Sequence, residues 1–306
     1  MNDVAVMVGG FLAAAVRVAT PLLLAATGET INQRAGVINL GLEGMMLAGA
    51  LAATLGATAS GGGPWIGVVL ALLAGMALAA AFALLTVGAR TDQIIAGTAL
   101  TLAAVGLTGT IYRRVYGAGG AGLGLPTLGA VGIPGLDRIP VIGPALFDQP
   151  APTYIALVAL PVVWWFLFRT RLGLALRATG EAASLARAAG VRTQLIRIGA
   201  TVAGGAFAGL AGATLVLAQV GTFAEKMTAG RGYIAIAIVV LGRWHPAGVG
   251  VAALLFGAAS ALQFVFQSLG VRIPYQLFLM LPYALALLAL AGAVGRVRAP
   301  ADLGRS

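Results

Sequence analysis

The feature that most constrains this chain is a series of long apolar stretches separated by short polar segments. Stretches such as Trp65–Ala89 and Ile198–Val220 are close to the length of about 20 residues that a helix needs to cross a bilayer. Charged residues make up only 9% of the sequence, whereas soluble domains carry about 25%. The expected fold class is therefore all-α, a polytopic bundle of transmembrane helices that forms a single domain over residues 1–306.

The apolar pattern predicts about nine spans, within a range of eight to ten. A nine-residue stretch near the C-terminal end is too short for a straight span, so it is expected to be tilted, re-entrant or broken. The predicted spans are Val4–Ala26, Val37–Gly56, Trp65–Ala89, Ile94–Ile111, Thr153–Phe168, Ile198–Val220, Tyr233–Leu241, Ala247–Leu269 and Tyr275–Val294. A polar connector is predicted over Thr27–Gly36, and residues 112–152 are expected to form a long extracytoplasmic loop.

Basic residues give the expected orientation. Residues 169–197 carry six arginines and a single acid, Glu181, between two apolar spans. Positively charged loops remain in the cytoplasm, and with residues 169–197 inside, twelve basic residues lie inside and six outside. The N-terminus is then outside and the C-terminus cytoplasmic. Within this loop, Gly180 and Gly190 bracket an alanine-rich stretch, which predicts a short surface helix.

The second predicted span has an unusual pattern, GVINLGLEGMMLAGA, in which Asn39 and Glu43 lie four residues apart. On a helix these two side chains share one face. A carboxylate in a membrane usually faces a cavity or a partner, and a helix interrupted by glycines presents free backbone groups to a solute. Asn39 and Glu43 are therefore candidates to line a substrate pathway. The alternative is that Glu43 caps a helix or pairs with Arg34. The glycines that share the pathway prediction are Gly36, Gly41 and Gly44.

Three further features have structural and functional interpretations. The sixth span repeats small residues at every fourth position from Ala200 to Gly212, which favours close helix packing within the chain or at a subunit interface. Arg17 lies inside the first span, where it either snorkels or pairs with an acid such as Glu29 or Glu43. The loop Phe223–Tyr233 lines a pathway mouth or is simply solvated.

Several functions are excluded or disfavoured by what the sequence lacks. There is no cysteine and only one histidine, His245, in a predicted turn, so neither a metal site nor a catalytic dyad is expected. The one lysine, Lys226, is not part of a phosphate-binding loop, so the chain is not an ATPase of that kind. An intramembrane hydrolase is disfavoured because the histidine is not in a span. An ion-coupled carrier would need several ionisable groups deep in the bilayer, and only Glu43 and Arg17 qualify.

Three stretches, GVINLGLEGMMLAGA, RATGEAASLARAAGV and TAGRGYIAIAIVVLGRWHP, occur in this order along the chain. Together they resemble the permeases of ABC importers for branched-chain amino acids, simple sugars and nucleosides. The residues of the first and third stretches most resemble those of the shorter permease of nucleoside (guanosine-type) importers. The resemblance implies a non-enzymatic subunit that moves a small polar solute across the cytoplasmic membrane, with nucleosides as the expected substrate. A branched-chain amino acid or simple-sugar permease is the alternative.

The resemblance also implies partners and a docking segment. The expected partners are a second, similar permease, an ABC ATPase subunit, an extracytoplasmic substrate-binding lipoprotein and membrane lipid, with no nucleic acid. ATP is used by the ATPase, so no cofactor is expected on this chain. The helix that couples to the ATPase falls by resemblance on Gly180–Gly190, where related permeases often have Asn and Pro after Gly-Glu. The residues assigned to it are Gly180, Glu181, Ala182, Leu185, Ala186, Arg187 and Gly190.

Overall fold

The computed structural model describes residues 3–59, 63–117, 124–137, 139–268, 280, 284, 287 and 299–305. Ten α-helices and one short β-hairpin lie within these ranges. The helices are α1 Asp3–Arg34, α2 Leu42–Ala59, α3 Pro64–Ala83, α4 Gln93–Tyr116, α5 Ala151–Arg169, α6 Arg171–Glu181, α7 Ala183–Ala188, α8 Thr193–Thr214, α9 Arg231–Leu241 and α10 Pro246–Ser268. Three π-helical segments, Leu84–Gly88, Gly143–Phe147 and Leu215–Val220, precede or continue these elements.

Among the described residues, six helices are long and apolar enough to cross a membrane. They are Val6–Arg34, Leu42–Ala59, Pro64–Gly88, Gln93–Tyr116, Ala151–Arg169 and Thr193–Val220. The expectation of a helical multi-pass membrane protein is therefore confirmed. Helix α9, with 11 residues, is too short to cross alone. The predicted span Tyr275–Val294 lies outside the described residues apart from residues 280, 284 and 287, so the count of nine remains a prediction.

Helix α8 lies at the centre of the bundle and packs against α1, α2 and α3. Its glycines allow this approach. A Cβ on Gly209 would meet the carbonyl oxygen of Ala71 in α3, and one on Gly212 would meet that of Met46 in α2. Conversely, a Cβ on Gly49 of α2 would lie 2.6 Å from the Cα of Gly209. Small residues at helix contacts are the usual way for transmembrane helices to pack closely, so the interpretation as packing within the chain is confirmed.

The outer helices expose large apolar side chains. Leu73 of α3, Leu102 of α4, and Val158 and Trp165 of α5 are all more than half exposed. In water such a surface would be unstable, whereas in a bilayer these side chains contact lipid and the helical backbone satisfies its own hydrogen bonds. The buried faces of α3 and α4 are formed mostly by alanine, glycine and threonine.

The prediction of a polar connector over Thr27–Gly36 is wrong. Helix α1 continues to Arg34, and the chain turns at Gly36, whose φ of +89° suits glycine. The polar side chains of this last part of α1 are buried rather than solvated. Helix α2 correspondingly begins at Leu42 and not at Val37. The residues Gly36–Gly41 form an irregular link between the two helices.

The predicted surface helix also has different bounds. Gly180 and Glu181 end α6, the backbone breaks at Ala182 with φ of −156°, and α7 contains only Ala183–Ala188. The predicted end is confirmed, since Gly190 follows α7 with φ of +86°. The backbone of α6 lies against α1 at this point, since a Cβ on Gly180 would meet the backbone oxygen of Arg34. Gly180 therefore allows a close contact with α1 near the end of α6, and it does not begin the surface helix.

The predicted loop over residues 112–152 contains a small hairpin. Strand β1, Ala130–Gly132, pairs antiparallel with β2, Asp148–Pro150, with Val131 opposite Gln149. The loop begins later than expected, because α4 extends to Tyr116.

Candidate functional site

The link Gly36–Gly41 between α1 and α2 is held by side chains from two helices. The backbone N–H of Asn39 donates to Oε1 of Glu29 over 3.1 Å, and that of Ile38 donates to Oε1 of Gln93 in α4 over 2.8 Å. Asn39 therefore precedes α2, and the prediction that Asn39 and Glu43 share one helix face is wrong. Irregular backbone in a membrane protein needs such acceptors, because lipid offers none.

Glu29 organises a buried polar network that sequence reasoning missed. The carboxylate is fully buried and accepts hydrogen bonds from Nδ2 of Asn32 (2.9 Å) and Nε2 of Gln33 (2.8 Å). Oε1 of Gln33 in turn accepts from Nε1 of Trp244, after α9, over 2.6 Å. The signal was present in the sequence, since positions i, i+3 and i+4 lie on one helix face. The network joins α1, the link and the end of α9.

Two amide oxygens near this network have no hydrogen-bond partner within the described part of the chain. They are Oδ1 of Asn32 and Oδ1 of Asn39, and both are buried. Nδ2 of Asn39 lies 3.2 Å from the sulfur of Met45, which is a weak acceptor. A buried acceptor without a partner costs about 1–3 kcal/mol. Asn39 therefore has unused capacity to accept a hydrogen bond from a polar solute or water.

Glu43 caps a helix that lies far away in the sequence. Its Oε1 accepts from the backbone N–H of Gly230 over 2.7 Å, and its Oε2 accepts from that of Gly232 over 2.6 Å. These N–H groups belong to the start of α9, where free donors and the helix dipole favour a negative charge. Pairing of Glu43 with Arg34 is therefore wrong, and Nε of Arg34 donates to the carbonyl oxygen of Trp244 instead. Arg17 pairs with neither Glu29 nor Glu43 in the described structure and is exposed.

The glycines of the predicted pathway have distinct surroundings. A Cβ on Gly41 would lie 3.2 Å from Oδ1 of Asn39, whereas one on Gly44 would lie 2.9 Å from the Cα of Thr101. Gly44 thus allows α2 and α4 to pack closely. Gly36 makes the turn described above. A pathway role for Gly36, Gly41, Gly44, Asn39 and Glu43 remains a prediction, for which Asn39 has the most suitable unpaired atom.

The predicted coupling segment presents one large apolar side chain. Leu185 is 71% exposed, while Ala186 is only 6% exposed and packs within the chain. Glu181, Arg187 and Gly190 are also exposed, and Ala182 is half-buried. A bulky residue at Ala186 would disturb the chain itself, so Leu185 is the side chain best placed to contact a partner. The assignment of this segment to ATPase docking remains a prediction.

Basic residues converge at this end of the bundle. A cavity of about 320 Å³ beside α7 is lined by four arginines, Arg90, Arg187, Arg197 and Arg305. The other end of α4 carries Arg113, which forms a salt bridge of 2.9 Å with Glu225 in the loop Phe223–Tyr233. The structure thus groups at one end four of the basic residues assigned to the cytoplasm, and which side of the membrane that end faces remains a prediction.

His245 lies in a turn, as predicted, and its ring packs on Phe168 with centroids 5.2 Å apart. No group of three potential metal ligands occurs among the described residues. The described part of the chain offers buried hydrogen-bond acceptors and, at Leu185, an exposed apolar side chain.

Comparison with known proteins agrees with this architecture. A putative glucose ABC transporter permease of Haloferax volcanii is 43% identical over 86% of this chain and 80% of its own. The guanosine ABC transporter permease NupQ of Bacillus subtilis is 35% identical, and the nucleoside ABC transporter permease NupC of Lactococcus lactis is 32% identical, each over 92% of this chain and 91% of its own. No solved structure matches significantly. A family profile described as branched-chain amino acid transport system, permease component, matches residues 11–290, so the chain belongs to this family of ABC transporter permeases.

Proposed function

We propose that this chain is the permease subunit of an ATP-driven importer that moves nucleosides across the cytoplasmic membrane. The observation that carries the proposal is its similarity, over 92% of its length, to permeases from two organisms that are named for guanosine and nucleosides. The resemblance of the first and third stretches quoted above supports the same branch of the family. ATP hydrolysis takes place in a partner subunit, and this chain binds no cofactor.

A sugar is the second candidate substrate, because the relative with 43% identity is named for glucose. A nucleoside and a sugar share a hydroxylated ring, whose O–H groups donate hydrogen bonds to amide oxygens such as Oδ1 of Asn39. The two substrates differ in the nucleobase, which adds apolar area and further donors. A branched-chain amino acid is a third candidate, which the name of the family suggests.

The transporter is proposed to contain two similar permeases. In Bacillus subtilis this chain matches both NupQ, at 35% identity, and the guanosine permease NupP, at 27%. In Haloferax volcanii it matches two glucose permeases, at 43% and 30% identity. Two related permeases in one organism support a heterodimer. An ABC ATPase at the cytoplasmic end and a substrate-binding lipoprotein outside complete the proposed complex.

In this proposal the N-terminus faces outside, and the exposed Leu185 of α7 contacts the ATPase. ATP-driven movement of α7 would reach the link Gly36–Gly41, where Asn39 meets the solute. Glu43 keeps α9 in place beside this link. The residues of this chain therefore orient, admit and release the solute, and none of them breaks or forms a covalent bond.

Uptake into proteoliposomes tests the substrate. The chain would be reconstituted with its proposed partner permease, ATPase and binding protein, and uptake of labelled guanosine, glucose and leucine would be compared with and without ATP. We expect ATP-dependent uptake of guanosine. Uptake of glucose alone would show that the nucleoside proposal is wrong and that the substrate is a sugar. Uptake of leucine alone would show that the substrate is an amino acid. Asn39→Ala should lower uptake while the complex still assembles, and normal uptake by this variant would remove Asn39 from the pathway.

A further inference from the structure

The C-terminal residues 299–305 cross the end of the bundle that carries α7, and we call them the strap. Their backbone contacts two separate parts of the chain. The N–H of Asp302 donates to the carbonyl oxygen of Gly180 over 2.9 Å, and the N–H of Gly304 donates to that of Gly36 over 3.0 Å. Gly180 precedes α7, and Gly36 begins the link to α2. The strap is thus hydrogen-bonded to both segments at once.

Asp302 also supplies the N-terminal cap that α7 lacks. The residue before α7 is Ala182, whose side chain has no acceptor. Oδ2 of Asp302 accepts instead from the N–H of Ala183, the first residue of α7, over 2.6 Å. A carboxylate in this position satisfies one of the free donors at a helix start. The other side of this carboxylate faces Arg305, with an N–O distance of 3.6 Å.

Three further contacts anchor the strap. Leu303 packs against the hydrophobic core of the bundle, and Gly304 has a φ of +77°, which glycine adopts without strain. Nη1 of Arg197, in α8, donates to the carbonyl oxygen of Arg305 over 2.9 Å. The N–H of Ala301 donates to Oε2 of Glu181 over 3.3 Å. These contacts fix the strap to α6 and α8 as well as to the core.

We propose that the strap is a brace that ties α7 to the Gly36–Gly41 link, with Asp302 as its positioning residue. A displacement of α7 would then move the link that carries Asn39, since both are bonded to the same short segment. The inference rests on the proposed coupling function of α7. The strap would provide a second connection between the docking surface on α7 and the candidate pathway at Asn39. The first connection is the contact between α1 and α6.

The first experiment compares the full complex with one in which the strap is removed by a stop codon after Arg298. ATP hydrolysis, guanosine uptake and subunit association are measured together. We expect the ATPase to remain bound and active, with guanosine moved per ATP falling about five-fold, the effect of losing an interaction of the size of a helix cap. An unchanged ratio of uptake to hydrolysis would overturn the proposal.

Point variants distinguish the hydrogen bond between Asp302 and Ala183 from the ion pair between Asp302 and Arg305. They also test the proposal if the truncated chain does not assemble. Asp302→Ala should lower the transport ratio, whereas Asp302→Asn keeps an acceptor oxygen for the N–H of Ala183 and should restore most of it. Asp137→Ala, at the opposite end of the molecule, is the matched control and should leave the ratio unchanged. If Asp302→Asn is as impaired as Asp302→Ala, the cap is not the cause and the role given to Asp302 is wrong.

Hydrogen–deuterium exchange distinguishes failure of the brace from failure of the proposed function. In the Asp302→Ala complex, amides of α7 and of the Gly36–Gly41 link should exchange faster together, although more than 140 residues separate them in sequence. If the wild-type complex moves no guanosine but this joint change occurs, the brace stands and the substrate proposal fails. If α7 alone exchanges faster, the strap does not connect the two segments.

Discussion

Replacement of Glu43 by glutamine is the most informative single change in this protein. The carboxylate is 7% exposed, and each of its oxygens accepts a hydrogen bond from a backbone N–H at the start of α9. Glutamine has the same shape but only one acceptor oxygen, and its NH₂ group would point at the second N–H. Glu43→Gln therefore removes one charge-assisted hydrogen bond and leaves one buried donor without a partner, while the volume of the side chain is unchanged.

The size of the effect follows from these contacts. A hydrogen bond to a charged group contributes about 1.5–3 kcal/mol, and a buried donor left unsatisfied costs about 1–3 kcal/mol. Because the two estimates partly describe the same loss, we expect Glu43→Gln to lower the free energy of unfolding by about 2–4 kcal/mol. The apparent Tm of the detergent-solubilised complex should fall by about 3–6 °C. Glu43→Ala, which removes both bonds, should cost more than Glu43→Gln.

The assay combines thermal unfolding with uptake in proteoliposomes, and Glu225→Gln is the matched control. Glu225 also forms a short interaction, a salt bridge of 2.9 Å with Arg113, but both side chains are at least 41% exposed. Exposed ion pairs contribute about 0–1 kcal/mol, so this control should unfold at nearly the wild-type temperature. If Glu43→Gln has the wild-type Tm and takes up guanosine at the wild-type rate, the assignment of Glu43 as the cap of α9 is refuted.

Three other predictions address packing, docking and orientation. Gly209→Ala should destabilise the bundle and lower the Tm in thermal unfolding, because the added Cβ would meet the backbone of α3. Gly199→Ala on the same helix is the control and should leave the Tm unchanged, because a Cβ there has nothing within 4 Å. Leu185→Asp should weaken co-purification of the ATPase without lowering the Tm, because Leu185 is 71% exposed; unchanged co-purification would argue against docking at α7. In this cysteine-free chain, an impermeant thiol reagent applied to intact cells should label Asp137→Cys but not Arg187→Cys, and the opposite pattern would reverse the topology.

The spans and the family were predictable because both depend on signals local in sequence. A stretch such as Trp65–Ala89 needs only its length and apolarity to predict a helix that crosses the bilayer, and the structure has a helix there. The end of α1 was not predictable by the same rule, which counts apolar side chains. Glu29, Asn32 and Gln33 are polar, yet the Glu29 carboxylate accepts hydrogen bonds from both amide groups within little more than one helical turn, which lowers the cost of burying them.

The contacts that define the site were not predictable because they join distant parts of the chain. Glu43 caps a helix 187 residues further on, and Asp302 caps one 119 residues before it. Nothing local to either carboxylate indicates its partner. Gly44 was assigned to the substrate pathway, a role that stays a prediction, and the structure shows that it allows a close contact with α4. A glycine in a transmembrane helix is compatible with an opening and with close packing, and only the neighbouring helix decides between them.

The surroundings of the acidic residues bear on the proposed energy source for transport. The sequence has nine acidic residues, and within the described part of the chain six of them accept a hydrogen bond from a backbone N–H, namely Glu29, Glu43, Asp92, Asp137, Glu181 and Asp302. A carrier driven by an ion gradient needs buried carboxylates that bind and release a cation or proton. Glu29 and Glu43 are buried, but fixed donors already occupy their oxygens, and exchange of a cation there would break the link or α9. Contact of a partner subunit with the exposed surface of α7 would break none of these hydrogen bonds. This supports the proposed coupling to a partner subunit over coupling to an ion.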